Sequence, residues 1–186
     1  MPKITDAKIL IISTHGFEQS ELEYPRDELR KAGAVVHVAT PDGEAIKGWD
    51  KDNWGNKADA DLKLTQAAPA DYDAVVLPGG QINPDLLRVN DDALALIRSF
   101  VHNGKTVAAI CHAPWLLAEV GALNGREATS YKSIKTDIEN AGAKWRDQEV
   151  VCDNGIVTSR SPEDLQAFVA KIIEEIEEGE HKRKAA

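Results

Sequence analysis

The chain has 186 residues, 42% of them hydrophobic and 28% charged, which suits one globular domain with a sizeable core and excludes disorder. Its formal net charge of -9 leaves no basic face for phosphates, so nucleic acid is not expected as the main partner. No apolar run approaches the ~20 residues of a membrane span.

Taken in chain order, residues 8–13 form a short, mostly β-branched apolar run that reads as a buried strand. Thr14, His15 and Gly16 make a turn, and residues 22–32 look helical up to Gly33, a good C-cap. Residues 35–39 are a second strand, broken by Pro41, Asp42 and Gly43. Residues 41–71 are polar and irregular, a surface excursion with room for short strands, an active-site wall or a subunit contact. Trp49 and Trp54 within it suit either an interface or packing inside the loop.

A third strand, 74–77, stops at Pro78-Gly79-Gly80. Residues 91–103 form a helix with Leu94, Ile97, Phe100 and Val101 on one face. A fourth strand, 106–110, runs straight into Cys111 and a helix to about residue 120. Another helix is expected over 134–141. Runs 149–152 and 156–159 flank Asp153-Asn154-Gly155 as a hairpin. Ser161-Pro162-Glu163-Asp164 opens the last helix, whose charged tail after Glu174 is expected to fray.

Strands alternating with helices imply right-handed crossovers and a mostly parallel sheet covered on both faces. Sites in such sheets lie at the carboxyl ends of the strands. Gly16-Phe17-Glu18, Pro78-Gly79-Gly80 and Cys111-His112 all fall there.

Cys111, between a strand and a helix, has the placement of a nucleophile on a sharp turn. The positive end of the following helix should lower its pKa, and the alternative is a small buried hydrophobe. His112 is a candidate proton carrier or a partly exposed histidine at a helix start. Glu18 could be held protonated beside the sulfur, though a solvated glutamate is the simpler reading, and Glu21 and Glu23 compete with it. Gly79 and Gly80 allow close backbone approach and, with the His112 N–H, an oxyanion hole, or they make a plain tight turn. No GxGxxG or Walker loop is present, so nucleotide binding is not supported.

The two cysteines, Cys111 and Cys152, make no disulfide framework, and with five dispersed histidines they give no structural zinc spacing. The N-terminus shows no signal-peptide pattern, so a cytoplasmic protein with free thiols is expected. Cys152, beside Val150 and Val151, reads as structural. Trp115 with Leu116 and Leu117 reads as a helix core face, or Trp115 as part of the site mouth. Glu174, Glu175, Glu177 and Glu178 read as a solvated helix face.

At these residues the chain resembles the ThiJ/PfpI superfamily, and within it the PfpI-like intracellular protease branch. The resemblance covers nearly the whole chain. It rests on Gly16-Phe17-Glu18 with Glu21, on Val76-Leu77-Pro78-Gly79-Gly80 and on Ala109-Ile110-Cys111-His112-Ala113-Pro114. Thr129-Ser130-Tyr131, Asn140-Ala141-Gly142-Ala143 and the run from Thr158 to Leu165 complete it.

The resemblance implies one domain over residues 1–186, a flavodoxin-like three-layer α/β sandwich related to class I glutamine amidotransferases. It makes Cys111 the nucleophile, Glu18 the carboxyl that hydrogen-bonds the sulfur and His112 the histidine beside it. Tyr131 lines the site. It also implies an acid reaching His112 from a neighbouring subunit, for which Asp85 is the match, and hence a homodimer or larger homo-oligomer. No metal or organic cofactor is implied. Three functions follow: a stress-protection enzyme attacking small reactive carbonyls or their protein adducts, a peptidase with a Cys111-His112-Asp85 triad, or a redox sensor or chaperone-like stress protein built on an oxidisable Cys111.

Overall fold

The computed structural model describes residues 2–182. Its elements are β1 (Lys8–Ile12), α1 (Gln19–Lys31), β2 (Val35–Thr40), β3 (Ile46–Asp50), β4 (Asn53–Ala58), β5 (Leu62–Lys63) and β6 (Ala74–Leu77). There follow α2 (Ile82–Leu87), α3 (Asp91–His102), β7 (Thr106–Ile110), α4 (Pro114–Glu119), β8 (Glu127–Ala128), α5 (Lys135–Asn140) and β9 (Lys144–Trp145). The last are β10 (Val150–Asp153), β11 (Ile156–Ser159) and α6 (Leu165–Glu178).

Seven strands form one sheet in the order β10-β11-β7-β6-β1-β2-β5. Every neighbouring pair in it is parallel except β10 with β11, the hairpin expected from Asp153-Asn154-Gly155. The central strands β1, β6 and β7 are apolar without alternation because both faces are covered. One face buries Leu10, Val75 and Val107 against residues of α3 and α4. The other buries Ile9, Val76 and Ala108 against residues of α1 and α6. Helix α6 shows why it docks: Phe168, Val169, Ile172 and Ile176 fall on one stripe and are all buried, each contributing ~1.5–3 kcal/mol. The expected α/β sandwich with a mostly parallel sheet is therefore observed. No helix among the described residues is long and apolar enough to cross a membrane.

Two local expectations change, and two stretches left open take definite form. Helix α1 starts at Gln19, three residues before the predicted start, which decides the site chemistry below. Residues 82–87 form a short helix that Pro84 concealed, since proline sits here within the first turn. The excursion over 41–71 folds back as a β3-β4 hairpin in which Trp49 and Trp54 pack edge to face, with ring centroids 5.4 Å apart. Helix α6 continues to Glu178, and Glu175 is not solvated but buried, 3.3 Å from His181. The remainder of the tail predicted to fray, 183–186, lies outside the described residues.

Candidate active site

Strand β7 lies between β6 and β11, so the residue after Ile110 emerges at the middle of the sheet's carboxyl edge. That residue is Cys111, with φ of 65°. A side chain in the left-handed region costs about 1–2 kcal/mol and needs tertiary contacts to hold it. Two backbone hydrogen bonds do so: the Cys111 N–H donates to Ser159 O at 3.0 Å, and the Tyr131 N–H donates to Cys111 O at 2.8 Å. The residue is only 5% exposed.

The turn after β6 lies against this elbow. A Cβ on Gly79 would collide with the Glu21 carboxylate and with Cys111 Cβ, and one on Gly80, at φ 79°, would collide with Glu18 N and Gly16 O. The glycines are thus required by close approach, beyond making a turn. Buried Asn83 ties the turn to the end of β1. Its Nδ2 donates to Pro78 O at 2.8 Å, and its Oδ1 accepts from Thr14 N at 2.8 Å. The Gly80 and His112 N–H groups act on the Cys111 sulfur to lower its pKa, while the Gly79 N–H is committed to Glu21 Oε2 at 2.9 Å.

The carboxyl beside the sulfur is Glu21, not Glu18. Glu18 is the N-cap residue of α1; its side chain is half-buried and accepts a hydrogen bond from Ser20 Oγ at 3.4 Å, with none to Cys111. Glu21 stands on the buried stripe of α1 with Leu22, Pro25 and Leu29, fully buried, with Oε2 held by the Gly79 N–H where that turn closes on Cys111. The third candidate, Glu23, instead accepts from Asn56. The signal was in the sequence: on a helix begun at Gln19, Glu21 shares the face of Pro25 and Leu29.

His112 reaches the sulfur despite adjacency. The left-handed backbone at Cys111 turns both side chains the same way, leaving Nδ1 3.1 Å from Sγ. Its Nε2 meets Ser133 Oγ at 3.2 Å, its ring stacks on Tyr131 at 4.8 Å, and Trp115 packs edge-on at 5.2 Å.

Burial sets the protonation of this cluster. It pushes the Glu21 carboxyl up to about 8, helped by the Glu18 charge, and pulls His112 down to about 4. The Cys111 thiol is pushed up by burial and then by the Glu21 charge, against the lowering expected from a helix end. Helix α4 has six residues and begins at Pro114, too short and too distant to reverse this. Glu21 and Cys111 titrate together, since two adjacent buried anions are unfavourable. At neutral pH Glu21 keeps its proton and His112 is uncharged, so the sulfur lies beside a neutral carboxyl and a neutral base.

The model of the DJ-1/PfpI family matches residues 7–175. The chain belongs to the DJ-1/PfpI family. It is 42% identical to protein/nucleic acid deglycase 2 of Escherichia coli K12 over 167 residues, 87% of this chain and 92% of that protein. It is 40% identical to deglycase PfpI of Pyrococcus furiosus over 166 residues, 89% of this chain and 97% of that protein. Among solved structures, Drosophila melanogaster DJ-1beta superposes with a TM-score of 0.83 at 34% identity, covering 96% of this chain and 95% of that one.

The remaining expected site residues of this DJ-1/PfpI chain fall into two groups. Tyr131 joins the site through its ring and its N–H. Asp85 is exposed on α2, and no hydrogen bond or ion pair joins it to His112 within the protomer among the described residues. Cys152, half-buried on the edge strand, has its thiol pushed up to about 12 by burial and Glu175. Among the described residues only Glu175, Glu178 and His181 bring metal-ligand atoms together, within 4.8 Å of one another. They lie beside Gly104, at the opposite end of β7 from Cys111. Two residues escaped the sequence reading, Asn83 and Ser133. Neither carries a motif of its own, and only the turns that place them reveal their partners.

Proposed function

We propose that this member of the DJ-1/PfpI family is a cysteine-dependent stress-protection enzyme acting on small reactive carbonyls or their protein adducts. One observation carries the reading: Cys111, a residue only 5% exposed, has His112 Nδ1 3.1 Å from its sulfur and the buried Glu21 carboxyl packed against the same elbow. The deglycase names of its relatives support the same class of substrate.

Cys111 Sγ attacks the carbonyl carbon and forms the C–S bond as the thiol proton passes to His112 Nδ1. The carbonyl π electrons move to oxygen, which the Gly80 and His112 N–H groups stabilise. Glu21 gives its proton to that oxygen, completing a hemithioacetal, and recovers one from His112. The burial of Cys111 favours a compact aldehyde over a folded protein's backbone. The peptidase alternative needs Asp85 to reach His112 from another subunit.

The test is methylglyoxal consumption by wild type, Cys111→Ala and Glu21→Gln. Turnover by wild type, abolished in Cys111→Ala and lowered at least tenfold in Glu21→Gln, is expected. Folded wild type without turnover at millimolar substrate, or an active Cys111→Ala, refutes the proposal.

A further inference from the structure

We infer that Ser133 is the positioning residue that holds His112 for its work on the sulfur, so that the orienting contact comes from the protomer's own chain. The inference rests on the reading of Cys111 and His112 given above.

The two aromatic neighbours of His112 cannot do this alone. Tyr131 stacks on the imidazole face and Trp115 packs edge-on, and together they confine the ring plane. A half-turn about the Cβ–Cγ bond keeps that plane and those contacts, but swaps Nδ1 for a carbon beside the sulfur. Only polar groups at the ring edge distinguish the two orientations. Ser133 Oγ, 3.2 Å from Nε2, is such a group, and the flipped ring would present it with a carbon.

The segment that carries Ser133 is tied to the elbow itself. Tyr131, two residues earlier, donates its N–H to Cys111 O at 2.8 Å, and Trp145 Nε1 donates to Ser130 Oγ at 3.0 Å. Ser133 then lies in the single turn Lys132–Ile134, anchored by buried Ile134. One short stretch therefore supplies both the stacking ring and the hydroxyl.

A hydroxyl is suited to the proton cycle. When His112 Nδ1 takes the thiol proton, the cationic ring has two N–H groups. Nδ1–H faces the sulfur, and Nε2–H donates to Ser133 Oγ. When the ring is neutral, the same oxygen can accept or donate. The titratable groups in contact with the ring are Cys111 and Tyr131; Asp85, the acid expected to serve this nitrogen, makes no hydrogen bond or ion pair with it within the protomer among the described residues.

Alkylation of Cys111 by iodoacetamide tests this without reference to any carbonyl substrate. The C–S bond forms, iodide leaves, and the thiol proton passes to His112. Rates are read by site-resolved mass spectrometry from pH 5 to 10 on wild type, Ser133→Ala and Ser133→Thr, with thermal midpoints as the folding control.

Ser133→Ala is expected to lower the rate near pH 7 about five- to tenfold, the loss of one hydrogen bond to a forming cation. Ser133→Thr should restore the neutral rate. A Ser133→Ala profile within twofold of wild type throughout, or a threonine variant as slow as alanine, overturns the inference. Hydroxyl-dependent alkylation without methylglyoxal turnover would remove the carbonyl reading and leave this one standing; intact turnover with a flat alkylation series would do the reverse.

Discussion

Glu21→Gln isolates the buried carboxyl because glutamine keeps the shape, and its side-chain oxygen can still accept from the Gly79 N–H. In the folded chain Glu21 holds its proton to about pH 8, whereas in the unfolded chain it loses it near 4.5. Between those values the folded state binds more protons than the unfolded state, so the carboxyl's contribution to stability is full below pH 4.5 and is lost as pH rises to 8. At ~1.4 kcal/mol per tenfold change in affinity, a rise from 4.5 to about 8 corresponds to ~5 kcal/mol. The assay is urea denaturation of both proteins at intervals from pH 4.5 to 8.5. Wild type should lose stability relative to Glu21→Gln by several kcal/mol across that window, with the two curves closest together in shape below it. Parallel curves throughout would show that Glu21 is ionised in the folded protein, and the protonated carboxyl beside Cys111 would have to be abandoned.

Two further substitutions probe the frame around the sulfur. Asn83→Ala removes a buried side chain that bonds Thr14 N and Pro78 O, and the stranded groups should cost ~2–4 kcal/mol in denaturant stability. Cys111 alkylation should slow with it, and an unchanged midpoint would show that the turn stands without this link. At Cys111, with φ 65°, glycine tolerates the backbone that alanine does not. Cys111→Gly should therefore unfold at a higher temperature than Cys111→Ala, by ~1 kcal/mol of stability. The opposite order would deny that the elbow is strained.

Much of this protein was legible before folding was considered. Uninterrupted apolar runs such as 74–77 and 106–110 marked buried parallel strands, since a strand covered on both faces cannot alternate. Cys111 stood out because a cysteine directly after such a strand, with Pro114 opening a helix, has few purely structural reasons to be there. The two glycines of Pro78-Gly79-Gly80 were visible as well, although their reason was not.

What the tertiary structure decided is who meets the sulfur and in which protonation state. Glu18 and Glu21 are three residues apart, and the choice between them depended on whether α1 begins at Gln19 or at Leu22, a boundary that local pattern does not resolve. Once the helix starts at Gln19, its buried stripe carries Glu21 inward and leaves Glu18 at the rim. The contact between His112 and Cys111 depended on a left-handed backbone that hydrogen bonds from Ser159 and Tyr131 impose from far along the chain. The protonation states followed from burial, which belongs to the assembled fold and to no residue alone. The sequence determined that Cys111 would sit on the elbow. Packing decided that it would sit there as one member of a proton-sharing group with Glu21 and His112.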